Sequence, residues 1–305
     1  MPKCASTWLQ RHLFIARNGY GKALATKPAH FALIYPDSFC ISDWGEARSM
    51  FDFDLGDKVP VVSLEVLVGN PLTGGENGEG NLHRLSRVAP EARILLVIRE
   101  QQAMLRSIYK TLVNFGSPLS IETLLNNDLT GTVPAFALSY LYYDRIIAAY
   151  RHVFGEDAVL VLPMELLQED PDAFVQSINA FSGIDSERYP PHANPNVREN
   201  VNRTLLDLEV KRQYNRFIAR TRLSPGGFHK PTMFGNSGNI HIPAPAAVHR
   251  AMERRFADKV AAMTAGHYAQ SNAATCELTG LDLARWGYAL PADDVPQSAP
   301  DLIEP

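Results

Sequence analysis

Cysteine is scarce in this chain. Only Cys4, Cys40 and Cys276 occur in 305 residues, an odd number spread far apart. They form neither a disulfide framework nor a metal-ligand set, and a reducing compartment is the simpler reading. Long apolar runs are missing as well. No stretch approaches the length of a membrane span, and no signal peptide is visible. Neither sign of charge dominates: 29 Lys and Arg stand against 33 Asp and Glu, a net charge of −4. A protein with that balance is not built to wrap nucleic acid, so an anionic ligand must be met by local charge. Internal repeats are absent, and no His, Cys, Asp or Glu cluster has the spacing of a metal site. The G-x-x-x-x-G-K-[ST] loop of nucleoside triphosphatases is also absent.

The informative residues come first in the chain. Pro2-Lys3-Cys4-Ala5-Ser6-Thr7-Trp8-Leu9 runs directly into an amphipathic helix pattern. A helix start leaves backbone N–H groups unpartnered and carries partial positive charge. Small side chains let an anion approach those groups. Ser6 and Thr7 add hydroxyl donors, and Lys3 adds a full charge. The string describes a phosphate cradle, with its lysine before the small residues. An ordinary helix cap is the bland reading of the same residues.

A second element fits the first. Ile94 to Ile98 is a continuous apolar run, the pattern of a strand buried on both faces. Arg99 closes it, at the carboxyl end where open α/β sheets bind ligands. Ser107 follows eight residues later on a stretch that reads as a helix, with Tyr109 two further on. An arginine fork suits a phosphate dianion, and a hydroxyl adds one hydrogen bond.

Together the two elements resemble the sulfotransferases that use 3′-phosphoadenosine 5′-phosphosulfate (PAPS). P-K-C-A-S-T-W resembles that family's P-K-x-G-T-T-W loop, and Arg99 to Tyr109 matches its R-x7-S-x-Y pattern. Three weaker strings are similar to bacterial glycan-type members: Met164-Glu165-Leu166-Leu167 with Asp170-Pro171, Phe181-Ser182-Gly183-Ile184, and Tyr268 to Asn272 with Gly280-Leu281-Asp282-Leu283 and Gly287-Tyr288. The resemblance implies a three-layer α/β fold, P-loop-like, with a central parallel sheet flanked by helices. It implies that Lys3, Cys4, Ala5, Ser6, Thr7 and Trp8 hold the 5′-phosphosulfate, and that Arg99 and Ser107 hold the 3′-phosphate. In the family a strand leads into the phosphate loop. Here the loop lies at the start of the sequence, so that first core strand is expected to be missing. Ala5 stands where the family has glycine. Golgi members carry a membrane anchor that this sequence does not show, so a bacterial-type cytoplasmic enzyme is expected.

The remaining chain reads as alternating strands and helices, hence a parallel sheet. Helices are expected over Trp8 to Arg17, Leu138 to Phe154, Asp170 to Gly183, Leu205 to Arg222 and Ala246 to Gly266. Strands are expected over Val59 to Glu65, Arg93 to Arg99 and Ala158 to Pro163, and Phe31 to Pro36 opens on a short apolar run. Gly69 to Gly80, with five glycines, reads as a loop. Tyr189 to Asn196 reads as a connector. One domain is expected over residues 1–290, followed by an acidic, proline-rich tail over 291–305 that reads as disordered.

Sulfuryl transfer needs in-line attack, stabilisation of the leaving oxygen and a base for the acceptor proton. It requires no metal in principle. Lys3 is the natural partner of the leaving oxygen, or it binds ground-state phosphate only. Glu65 closes an apolar strand and matches the glutamate base of glycan and tyrosine sulfotransferases. The alternative is a solvent-exposed strand-end carboxylate. His83, His12 and Glu46 are weaker candidates. Trp8 packs near adenosine or anchors its helix in the core. Asn202, Arg203 and Thr204 resemble loosely an element that approaches the donor. The acceptor, a carbohydrate on the family resemblance, would be chosen by the loops Gly69–Asn81, Phe115–Pro134 and Ser224–Pro245, the last with Lys230. Two other functions fit the same residues: a nucleotide-binding protein of this fold without turnover, and a small-molecule kinase dependent on ATP and magnesium. Nothing in the sequence fixes the oligomeric state.

Overall fold

In the computed structural model, residues 1, 3–22, 33–34, 43–51, 54–71, 75–126, 136–185, 187–189, 204–217 and 242–292 are described. The chain is mixed α/β. Its strands are β1 (Tyr20–Lys22), β2 (Val59–Val61), β3 (Ile94–Ile98) and β4 (Val159–Pro163). The helices are α1 (Ser6–Trp8), α2 (Trp44–Ser49), α3 (Gly78–Val88), α4 (Gln101–Asn114), α5 (Ile121–Leu125), α6 (Tyr143–Phe154), α7 (Met164–Glu169), α8 (Pro171–Ser182), α9 (Leu205–Phe217), α10 (Ala246–Met263) and α11 (Ala269–Thr279).

Among the described residues all strand pairing is parallel, as the alternation of strands and helices leads one to expect. Among the described residues the strands form two pairs, β1 with β2 and β3 with β4. The register sets Ile94 opposite Val159 and Ile98 opposite Pro163. The second pair sets Tyr20 opposite Val59 and Lys22 opposite Val61. A cavity of about 640 Å³ is lined by Val59 to Val62, from β2 and the residue after it, and by Ile94 to Val97 of β3.

The core gathers around β3 and β4. Leu96, Val97, Ile98, Met104, Leu105 and Ile108 are all at most 3% exposed. The apolar run of β3 is buried along nearly its whole length, which a strand between helical layers requires. Met104, Leu105, Ile108 and Leu112 recur at helical spacing and give α4 its buried face. Glu100 caps that helix, accepting from Gln102 N at 2.8 Å and Ala103 N at 2.7 Å. At α8, Asp170 accepts from Ala173 N at 2.9 Å, Pro171 opens the first turn, and Gly183 ends the helix at φ +72°.

Several boundaries differ from the sequence expectation. The helix expected over Trp8 to Arg17 begins at Ser6 and continues past Trp8 as a wide π turn over Leu9–Leu13. It stops there because Asn18 Nδ2 donates to His12 O at 2.9 Å and Leu13 O at 3.0 Å, satisfying its last carbonyls. The Val59–Glu65 strand is ordered as β only to Val61. Gly78 and Gly80 belong to α3, so the glycine-rich segment is helical at its end. Leu138 to Phe154 divides into a 3-10 turn over Leu138–Leu141 and α6. α9 is described to Phe217 and α10 ends at Met263. Cys40, Lys230, Asn202, Arg203, all of 31–36 except Leu33 and Ile34, most of 189–196 and the tail from 293 lie outside the described residues.

Candidate functional site

The loop before α1 has an unusual backbone. Lys3 and Ala5 both adopt left-handed conformations, with φ +59° and +57°. Residues with a Cβ pay about 1–2 kcal/mol there, so the packing around the loop must hold it. Part of that hold comes from Cys4 between them, which is 1% exposed. Burial pushes the Cys4 thiol up to about 12, against lesser downward pulls from the amino terminus and Arg99. Such a thiol stays protonated and packs as a small apolar group.

Arg99 lies where the sequence places it, directly after β3. Its Nη1 donates to Lys3 O at 3.3 Å, across 96 residues of sequence. Tyr143 OH donates to Arg99 O at 2.6 Å and fixes the backbone at the strand end. The Lys3 loop and the strand-end arginine therefore meet. Because the Glu100 carboxylate already occupies the first N–H groups of α4, an anion beside Arg99 would be met by side chains and not by that helix start.

Glu65 joins the same place. Ser6 Oγ donates a short hydrogen bond to Glu65 Oε1. One helical turn on, Gln10 Nε2 donates to Ser63 Oγ at 3.0 Å and Ser63 O at 3.2 Å. The helix after the loop is thus tied twice to the segment leaving β2. Glu65 is half-buried and lines the cavity together with Met1, Cys4 and Ser6.

Ser107 stands on the helix that follows Arg99, and Thr7 and Trp8 stand in the helical turn that follows the loop. Ser107 is buried on α4, roughly 9 Å along the axis from its first residue at 1.5 Å per residue. Thr111 Oγ1 donates to its carbonyl at 2.9 Å. Thr7 is half-buried in the first turn. Trp8 is 5% exposed and its ring lies 5.8 Å from that of His12, so it anchors the helix in the core. His83 and Glu46 are exposed on α3 and α2, while His12 is half-buried under Trp8. Among the described residues no group of three His, Cys, Asp or Glu could hold a metal ion. No described helix is long and apolar enough to cross a membrane.

Sequence reasoning missed how the later strings converge on the arginine. Glu165, at the start of α7, accepts from Glu100 N at 3.0 Å and from Tyr288 OH at 3.2 Å. Asn272 Nδ2 donates to Ala289 O at 2.9 Å, and Asn272 Oδ1 accepts from Gln101 Nε2. The Met164 string and the closing segment therefore brace the β3–α4 turn on which Arg99 sits. Their resemblance strings marked these residues in the sequence, but no local pattern shows that they meet at this turn.

No protein-family model matches the chain, and no curated protein matches it. A solved structure, a sulfotransferase from Alicyclobacillus acidocaldarius, is similar to it at 21% identity and a TM-score of 0.46, over 68% of this chain and 86% of that one.

Proposed function

We propose that the chain is a PAPS-dependent sulfotransferase that sulfates a hydroxyl or amine of an acceptor, a carbohydrate by its resemblance to glycan-type members. The observation that carries this reading is the meeting of its two anion-suited elements, the Lys3 loop and Arg99. A surface ion pair would not explain an arginine turned onto the carbonyl of a strained, cationic loop.

In this reading the loop from Lys3 to Trp8 holds the 5′-phosphosulfate, with Cys4, Ala5 and Trp8 shaping and anchoring it. Arg99 and Ser107 take the 3′-phosphate. The bond from sulfur to the bridging oxygen breaks as the bond to the acceptor atom forms. Lys3 stabilises charge on the leaving oxygen. Glu65 accepts the acceptor proton. The products are the sulfated acceptor and adenosine 3′,5′-bisphosphate. The reaction needs no metal ion. The fold is the three-layer, P-loop-like one.

The test is calorimetric. Adenosine 3′,5′-bisphosphate should bind without metal and more tightly than adenosine 5′-monophosphate. Arg99→Ala should weaken the bisphosphate by roughly 10- to 100-fold, the loss of a charge-assisted pair of hydrogen bonds, and leave the monophosphate nearly unchanged. An equal loss for both nucleotides would remove Arg99 from the 3′-phosphate. Binding of ATP only with magnesium would replace the donor reading with a kinase.

A further inference from the structure

The Ser6–Glu65 bond sets a condition on how the site works. A serine hydroxyl has one proton to donate. In this structure that proton goes to the Glu65 carboxylate. The same hydroxyl belongs to the first residue of the helical turn after the loop, the residue that the sequence reading makes a donor to an anion. It cannot serve both oxygens at once.

We propose that Ser6 couples occupancy of the phosphate loop to the freedom of Glu65. When a phosphate or phosphosulfate oxygen accepts the Ser6 hydrogen bond in its place, the Ser6–Glu65 hydrogen bond is released, and the proton stays on Ser6. The carboxylate is then released toward the cavity that Ser6 and Glu65 both line. The Gln10–Ser63 bonds hold the neighbouring backbone in place, so the exchange is local. Ser6 is a positioning residue in this scheme. The base becomes available only after the donor has bound, which orders the reaction as donor first, acceptor second. Linkage makes the effect reciprocal: removing the Glu65 acceptor must strengthen anion binding through Ser6. This inference rests on the donor reading above.

A double-mutant cycle tests it, with adenosine 3′,5′-bisphosphate as the probe and the whole chain in each variant. Glu65→Ala should tighten binding for two reasons, loss of a like charge and release of Ser6. In a Ser6→Ala background only the charge effect remains. The ratio of the two improvements isolates the hydrogen bond and should be about threefold to tenfold. A ratio of one overturns the coupling while leaving the donor reading intact. Failure of the unaltered protein to bind the bisphosphate at all would overturn both. Ser6→Thr, which keeps the hydroxyl, should restore the wild-type ratio. If a double variant does not fold, carbon-13 NMR of labelled Glu65 in the unaltered protein decides. Its carboxylate signal should move when the bisphosphate is added, and an unmoved signal would refute the exchange.

Discussion

The two strand pairs differ in nearly every physical respect. β3 and β4 match over five residues each and are buried on both faces. β1 and β2 match over three, and β2 is half-buried with Pro60 at its centre. Proline offers no N–H to a ladder, so β2 is a poor template for pairing at that residue. The first pair carries Arg99 on a braced turn. The second pair leads to Glu65 on a segment that side chains tie down, Ser6 and Gln10 from the loop helix and Asn81 and Tyr150 from α3 and α6. One half of the site is therefore positioned by a packed core. The other half is positioned by side-chain hydrogen bonds, from the loop helix to residues 63–65 and from Asn81 and Tyr150 to Val66 and Leu67.

The sharpest way to break this comparison is through the chemistry assigned to the less anchored half. Glu65→Gln keeps the shape and an acceptor oxygen but loses the charge that takes a proton. It should bind adenosine 3′,5′-bisphosphate at least as well as the unaltered chain, and its sulfation rate should fall by about 10²–10⁴. A residual rate above about a third of the original would move the base elsewhere. His83 is the next residue to change, although its exposed place on α3 makes it a poorer base.

A smaller effect is expected on stability, and it compares the halves directly. Ile98 is 1% exposed on β3. Ile98→Ala should cost about 2–5 kcal/mol in denaturant unfolding, the range for a large core truncation. Val61 lies half-buried on β2 and already borders open volume. Val61→Ala removes fewer contacts and should cost about 1 kcal/mol. Equal losses would mean that the two halves are packed alike, contrary to the cavity between them.

The same contrast explains what could be read from sequence. Ile94 to Ile98 and Val159 to Pro163 are continuous apolar runs, so periodicity identifies them and Arg99 falls at a definable end. Asp170, Pro171 and Gly183 carry their own stop and start chemistry, and α8 follows them closely. Tyr20-Gly21-Lys22 has no such signal. It is a strand because Val59 to Val61 lies beside it, which is a tertiary cause. Gly78 and Gly80 disfavour helix locally, and the packing of Leu82, Leu85 and Val88 overrides them. The Lys3 loop stands out in the sequence by its lysine beside small and hydroxylated residues. Its bond to Glu65 does not, because no local pattern links residues 59 apart.

The smallest expected effect lies at the join between the halves, in the loop itself. Ala5 holds φ +57° directly before α1. Its methyl group costs about 1–2 kcal/mol in that region. Glycine would remove this cost and lose about 0.5–1 kcal/mol through greater freedom of the unfolded chain. Ala5→Gly should therefore stabilise the protein by about 0.5–1 kcal/mol, seen as a higher denaturant midpoint at unchanged slope. Removing the methyl also clears the approach to the loop's N–H groups, so bisphosphate affinity should rise and not fall. Destabilisation by Ala5→Gly would show that the left-handed backbone costs little here, because the burial of Cys4 and the Arg99–Lys3 contact already enforce it. The loop would then owe its shape to the braced half of the molecule, and its strain would play no part in holding an anion.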